Sequence, residues 1–323
     1  MHHLPYNKRY VCCFIPAILL PRDSDLRFTT NDTQRMMLIT GAGGQLGRCF
    51  RELAPAFPDI PFLYTTSAEL DITSRRAVSA YFKKNNIRWV LNCAAYTAVD
   101  KAESEPTRAR AVNVTGAANL ARACAQTGAR MVHFSTDYVF HSKQNTPFRE
   151  DDPTMPKSVY ARTKLEGEKA VLKLLPSATI FRLSWVYANE GANFVNTMLR
   201  LGKEREELRV VCDQIGTPTY APDLVDVVLQ LIDNVEKGKI AATKLEGIWH
   251  FSNEGVCSWY DFACAIMEIA GLNCRVLPIE TSEYPTPAKR PPFSVMNKGK
   301  IKAAFGLQVP HWRESLKKCL KLR

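Results

Sequence analysis

Tyr160 and Lys164 stand four residues apart in Tyr160-Ala161-Arg162-Thr163-Lys164, a segment of helical period, and that spacing puts two side chains one above the other on a helix face. An ammonium beside a phenol favours the phenolate and lowers its pKa. A phenol tuned this way can pass a proton to a carbonyl oxygen while hydride arrives on the carbon. Thr136, in His133-Phe134-Ser135-Thr136-Asp137-Tyr138 at the end of an apolar run, is placed to hydrogen-bond the same oxygen. Tyr and Lys at this spacing also occur on ordinary amphipathic helices. The pair therefore gains weight only beside a cofactor site.

Such a site is written earlier in the chain. Leu38-Ile39-Thr40 runs into Gly41-Ala42-Gly43-Gly44-Gln45-Leu46-Gly47, with glycines spaced G-x-x-G-x-x-G between a strand pattern and a helix pattern. Gly41 permits the tight turn, Gly44 the close approach of backbone to pyrophosphate, and Gly47 the packing of the helix on the sheet. The helix N-terminus then offers free N–H groups to phosphate. A glycine triplet alone is a weak signal; its position between strand and helix strengthens it. The second apolar run ends Thr65-Thr66-Ser67, without the acid that would hold an adenosine ribose. Arg48 is free to face a 2′-phosphate. NADPH is therefore the expected cofactor, with NADH left open. Asp71 is placed to meet the adenine edge, or else is a carboxylate at a helix N-terminus before Thr73.

The elements that must position these residues alternate. Apolar runs at Met37–Thr40, Phe62–Thr65, Trp89–Cys93, Met131–Ser135 and Thr179–Leu183 have the length of strands buried on both faces. Helical periods lie between them at Gln45–Leu53, Arg75–Lys84, Ala109–Gln126 and Ser158–Leu174. The alternation predicts an α/β protein, a doubly wound parallel sheet of Rossmann type. Residues 36–190 form its dinucleotide-binding core. Residues 191–323 are less regular, with helical patterns at Phe194–Lys203, Asp223–Asn234, Ser258–Ile269 and Trp312–Leu322. They form a smaller C-terminal substrate-binding lobe that returns to the core.

The chain has 323 residues, 46% hydrophobic and 23% charged, enough for one large domain or two coupled ones. No stretch reaches the ~20 apolar residues of a membrane span. The net charge of +11 is uneven: between Pro287 and Arg323 ten Lys and Arg face Glu314 alone. A nucleic-acid binder would spread its cations over a face of the domain, so no nucleic acid is expected. The ten cysteines include no C-x-x-C pair and read as thiols of a reducing, cytoplasmic compartment. Residues 1–35 do not fit the pattern. Their apolar run from Val11 to Leu20 contains Pro16 and lacks a small-residue cleavage site. This extension is expected to be disordered or to precede a true start at Met36 or Met37.

In order along the chain, GAGGQLG at 41–47, NCAAYTAVDKAESEP at 92–106, FSTDYVF at 134–140, YARTKLEGEKA at 160–170, FRLSWVYA at 181–188, DQIGTPT at 213–219 and YPTPAKRPPFS at 284–294 resemble the extended short-chain dehydrogenase/reductase family. Within it they are most similar to the branch that reduces the 4-ketone of dTDP-deoxysugars. The likeness runs from Met37 to the C-terminus. It implies an NADPH-dependent reductase taking dTDP-6-deoxy-L-lyxo-4-hexulose to dTDP-L-rhamnose, a precursor of cell-surface polysaccharide. Tyr160 would be the proton donor, Lys164 would lower its pKa and hold the nicotinamide ribose, and Thr136 would tune the reacting oxygen. Gly44, Gln45, Leu46, Asp71, Ile72, Ala95, Tyr96 and Thr97 match cofactor-contacting positions, beside Gly41 and Gly47 of the loop. Thr136, Asp137, Tyr160 and Trp185 match positions that hold the sugar, and Arg290 matches one that could meet the diphosphate. Some members form a homodimer bridged by magnesium through a glutamate two residues after the third glycine. That position is Cys49 here, so no metal is expected and a homodimer stays open. Non-catalytic regulatory subunits and NAD-retaining 4-epimerases or 4,6-dehydratases share the resemblance and are the alternatives.

Overall fold

Strands whose residues are apolar at every position must be covered on both sides, and the first five runs are so covered. The computed structural model describes residues 35–321. All of the expected extension but Arg35 lies outside the described residues. The strands are β1 (Met36–Thr40), β2 (Phe62–Thr65), β3 (Ile87–Asn92), β4 (Arg130–Thr136), β5 (Thr179–Leu183), β6 (Val186–Tyr187), β7 (Glu207–Val211), β8 (Ile215–Gly216), β9 (Thr219–Tyr220), β10 (Gly247–Phe251), β11 (Cys257–Ser258) and β12 (Arg275–Ile279). Six of them form one parallel sheet in the order β10-β5-β4-β3-β1-β2. The order reverses between β1 and β3, and the carboxyl ends of the strands on either side of such a switch point bound a crevice.

The helices of the first half are α1 (Gln45–Leu53), α2 (Arg75–Lys84), α3 (Val99–Ser104), α4 (Pro106–Arg110), α5 (Ala117–Thr127) and α6 (Val159–Leu174). In β1, Met37 and Ile39 join one core layer while Leu38 joins the other, the two-residue alternation of a strand. Trp89 and Leu91 of β3 point with the first pair and Val90 with Leu38. Residues of α2, α5 and α6 close the Leu38 side. The opposite side is closed by Phe50 of α1 together with Leu224, Val225, Val228 and Leu229 from the second half of the chain.

Those four residues belong to α8 (Ala221–Glu236), which follows α7 (Phe194–Glu204) and precedes α9 (Trp259–Ala270), α10 (Gly299–Phe305) and α11 (Trp312–Lys321). The second half thus supplies both a helix and the edge strand β10 to the main sheet. Its remaining elements build a separate core in which Tyr187, Val195, Phe262, Ile266, Trp312 and Leu316 are buried together. The basic C-terminal stretch is partly neutralised in place: Lys302 pairs with Glu254 at 2.7 Å and Arg313 with Glu268 at 2.9 Å. Among the described residues no helix is long and apolar enough to cross a membrane.

Candidate active site

The turn after β1 is as tight as its sequence requires. Gly41 has φ +65°, and a Cβ there would lie 2.6 Å from Ala94 N. At Gly47 a Cβ would meet Gly41 O and Ala42 Cα, each at 2.5 Å. Gly47 therefore lets the helix pack closely on the turn that leaves β1. Gly44 caps α1 without a side-chain hydrogen bond, and no acidic residue stands in the first turn. The amides of Gln45, Leu46 and Gly47 are left as an anion site of the kind pyrophosphate occupies. A glycine cradle that a Cβ would fill, leading to an uncapped helix start, fits a dinucleotide phosphate.

Two side chains of this helix reach elsewhere. Gln45 donates from Nε2 to Val186 O at 3.0 Å, and Asn193 Nδ2 donates to Gln45 Oε1 at 3.0 Å. This fastens the loop to the segment after β5. Arg48 donates to Gly43 O at 2.9 Å and abuts Gly191, so its guanidinium is spent in part on the loop itself.

Asp71 accepts from the Thr73 backbone N–H at 2.9 Å and the Thr73 hydroxyl at 2.7 Å. The cap of α2 is instead Ser74, whose hydroxyl accepts from Ala77 N. Asp71 is thus no helix cap; it closes the turn just before one. Ile72 is buried against Gly116, with its carbonyl held by Asn119 at 3.0 Å.

Ala95, Tyr96 and Thr97 form the loop after β3. Asn113 organises that loop: its Oδ1 accepts from Tyr96 N at 2.8 Å, while Nδ2 donates to Tyr96 O at 3.2 Å and to Thr163 Oγ1 at 3.1 Å. Asn113 lies in a π-helical turn, Ala111–Gly116, between α4 and α5. Such turns interrupt the α-helical ladder and recur at functional sites. The sequence reading passed a continuous helix through it. The available signal was an asparagine inside a helical pattern, where its amide competes for backbone partners.

The proposed catalytic side chains meet at the end of β4. Ser158 caps α6, its hydroxyl accepting from Ala161 N at 3.2 Å, so Tyr160 sits in the first turn and Lys164 one turn later. Thr136 accepts from Tyr138 N at 3.2 Å and donates to Asp137 Oδ1 at 3.1 Å, and the Tyr160 ring packs edge-on against Tyr138, two residues further along. Lys164 is buried and donates from Nζ to Phe134 O at 2.6 Å, on the same strand.

Burial pushes the Tyr160 phenol up to about 12, with the neighbouring Thr136 hydroxyl acting against the rise and Asp137 adding to it. The Lys164 ammonium turns to the Phe134 carbonyl, and desolvation is the dominant influence on the phenol. The same burial brings Lys164 down to about 8, opposed by the charge of Glu168.

Asp137, 1% exposed, is pushed up to about 7 by burial, with hydrogen bonds from Ser294 and Thr136 acting in the opposite direction. A carboxyl raised in the folded state binds its proton more tightly there than in the unfolded chain, so it lowers stability as pH rises from about 4 to about 7. Asp137→Asn is expected to remove that component. Thermal midpoints measured at pH 5 and pH 7.5 should fall further in the wild type than in the variant, and equal slopes would refute the assignment.

Trp185 follows β5, two residues beyond Leu183 at the carboxyl end of the sheet. Its φ of +46° is the one positive value at a non-glycine among the described residues. The Arg290 guanidinium grips Asp100 at 2.7 and 3.0 Å and the Thr286 hydroxyl at 2.7 Å. It thereby pins the Pro-rich loop at 285–292 onto α3. Cys49 is a buried thiol with its pKa pushed up to about 12 by burial. No group of three or more His, Cys, Asp or Glu side chains among the described residues is placed to hold a metal ion.

Beneath these residues lies a cluster that sequence reasoning missed. Glu168, one turn beyond Lys164, accepts from Ser135 Oγ and from Arg182, whose Nε and Nη2 reach it at 3.0 and 2.8 Å. Ser135, Glu168 and Arg182 are all buried. Arg182 also donates to Glu150 O at 3.2 Å.

Comparison with known proteins agrees with this geometry. The family described as RmlD substrate binding domain matches residues 35–323. The dTDP-4-dehydrorhamnose reductase of Aggregatibacter actinomycetemcomitans is 42% identical over 287 residues, 87% of this chain and 97% of its own. The crystal structure of a dTDP-4-dehydrorhamnose reductase from Clostridium acetobutylicum superposes with a TM-score of 0.83 at 43% identity, covering 89% of this chain and 99% of that one. The Bacillus anthracis enzyme, solved in complex with NADP, gives 0.84 at 38% identity, covering 90% and 100%. Agreement at this level over nearly the full length of each relative means that the chain belongs to the dTDP-4-dehydrorhamnose reductase family.

Proposed function

We propose that this protein reduces the C4 ketone of dTDP-6-deoxy-L-lyxo-4-hexulose to the alcohol of dTDP-L-rhamnose, with NADPH as reductant. The observation that supports the reading is the convergence, at the carboxyl end of the parallel sheet, of Thr136 ending β4, Tyr160 and Lys164 one turn apart on α6, and the glycine loop after β1, two strands away. NADPH, when bound, supplies the hydride to C4. The amides opening α1 hold its pyrophosphate, and the loop Ala95-Tyr96-Thr97, fixed by Asn113, lines the crevice beside it.

Tyr160 gives its proton to O4 as the ketone becomes an alkoxide and regains it from solvent. Its high pKa suits the direction of the reaction. A reduction needs the donor protonated, and burial keeps the proton on the phenol throughout the neutral range. Thr136 hydrogen-bonds the reacting oxygen and aligns the phenol. Lys164 would hold the nicotinamide ribose, and its positive charge would stabilise negative charge developing on the oxygen. Asp137 and Trp185 hold the sugar.

The test is NADPH oxidation on addition of the 4-keto sugar nucleotide, with the product identified by NMR. Stoichiometric loss of NADPH and appearance of the C4 alcohol are expected. Cofactor binding without turnover would replace this reading with a nucleotide-binding regulatory subunit. Protein that retains NAD and needs no added NADPH would replace it with an epimerase or dehydratase.

A further inference from the structure

A tryptophan held in left-handed backbone is costly, since the Cβ of a bulky residue crowds the carbonyl oxygen there. It persists only where its surroundings over-determine it. Trp185 adopts that conformation, and two partners are built around its ring. The Trp259 indole lies against it face to face, with centroids 3.6 Å apart and planes 10° from parallel. Gly216 presses its Cα so close that a Cβ would fall 2.6 Å from Trp185 Cε2 and 2.7 Å from Cζ2.

Both partners come from one ribbon. β8 and β11 pair antiparallel, with Cys257 opposite Gly216 and Ser258 opposite Ile215, and Trp259 is the next residue after β11. Its own position is set twice over. Ser258 and Asp261 form a reciprocal capping box at the start of α9, and Phe194 of α7 packs against the Trp259 ring at 4.6 Å. Backbone on the Trp185 side is held as well, since Thr219 N donates to Trp185 O at 3.1 Å and Ser184 Oγ to Thr217 O at 2.6 Å.

We infer that Trp259 is a positioning residue for sugar recognition: stacked on Trp185, it holds that indole at the carboxyl end of the sheet in a conformation the local chain would not keep alone. The inference rests on the reading of Trp185 as a sugar-holding residue of the reductase. Trp259 is half-buried, with Trp185 on one side of its ring and Phe194 also packed against it.

Two stacked indoles give an exciton couplet in far-UV circular dichroism, which provides a readout independent of activity. Trp259→Ala is expected to abolish the couplet and raise KM for the sugar nucleotide about five- to tenfold, the scale of one aromatic pair, with the Kd for NADPH unchanged. Trp259→Phe keeps a ring on Trp185 and should restore KM to within about twofold of wild type, again the scale of one aromatic contact. In the wild type, titration with the sugar nucleotide should perturb the couplet, a measurement that needs no variant to fold.

Three results would overturn the inference: an unperturbed couplet on saturation, a Trp259→Ala protein without the couplet but with unchanged KM, or equal weakening of NADPH and sugar binding. Turnover by the wild type separately tests the underlying function. A wild type that fails to reduce the ketone would sink that reading, whereas the ratio of variant to wild type decides the role of Trp259.

Discussion

Tyr160→Phe is expected to lower kcat by roughly 10²–10⁴-fold, the contribution of a positioned general acid, while NADPH binding stays within about twofold because one hydroxyl among many contacts is lost. The argument is geometric. Thr136, the other hydroxyl at this point, bonds the Tyr138 amide and Asp137 Oδ1 in the free protein, and an alcohol, even turned to the reacting oxygen, is a far weaker acid than a phenol. Removing the phenolic oxygen thus leaves the new alkoxide without an acid. The ring keeps its edge-on contact with Tyr138, at 6.0 Å and 82°, so the fold should tolerate the change. Steady-state kinetics and a fluorescence titration with NADPH check both halves. A loss of less than about tenfold would move the proton-donor role away from Tyr160, since general acids contribute more than that.

Glu168→Ala carries the largest expected effect on stability, a loss of about 3–5 kcal/mol, because removing one partner of a buried ion pair leaves the other charge uncompensated. Arg182 would keep its guanidinium in the interior with Glu150 O as its remaining hydrogen-bond acceptor, and the Ser135 hydroxyl would lose its acceptor. A double replacement, Glu168→Leu with Arg182→Met, should recover much of the loss, since well-packed apolar substitutes for a buried pair are often neutral or better. Denaturant unfolding of Glu168→Leu, Arg182→Met and the double variant closes the cycle. Additive losses in the double variant would show that the pair is not coupled.

The two predictions probe different parts of one arrangement. Glu168 ties α6, which carries Tyr160 and Lys164, to Ser135 beside Thr136 and to Arg182 of β5, three residues before Trp185. Chemistry at the rim therefore depends on a polar clamp below it. Because every member of the cluster is satisfied, it can act as a rigid base for groups whose spacing must hold to a fraction of an ångström.

Tyr160 and Lys164 show how local and tertiary information divide. That Tyr160 and Lys164 share a helix face follows from the 3.6-residue period and was legible from spacing alone. Where the ammonium points was not. That direction depends on Phe134 O, thirty residues away in the chain, and on the depth to which α6 is buried. The same separation hid the partner of Arg290: Asp100 lies 190 residues earlier, and no local pattern links the two. Arg48 likewise looked available to a phosphate until the loop folded back to offer it the Gly43 carbonyl.

The sequence by itself determined the alternating strands and helices, the glycine turn, and the order of motifs that marks the family. Each is written in the periodicity, backbone freedom or identity of residues close together in the chain. Only the tertiary structure decided the π turn at Asn113, the buried Ser135–Glu168–Arg182 cluster, the stacking of Trp185 on Trp259 and the acidity of Tyr160. These depend on which distant groups meet, and on how much water is excluded when they do.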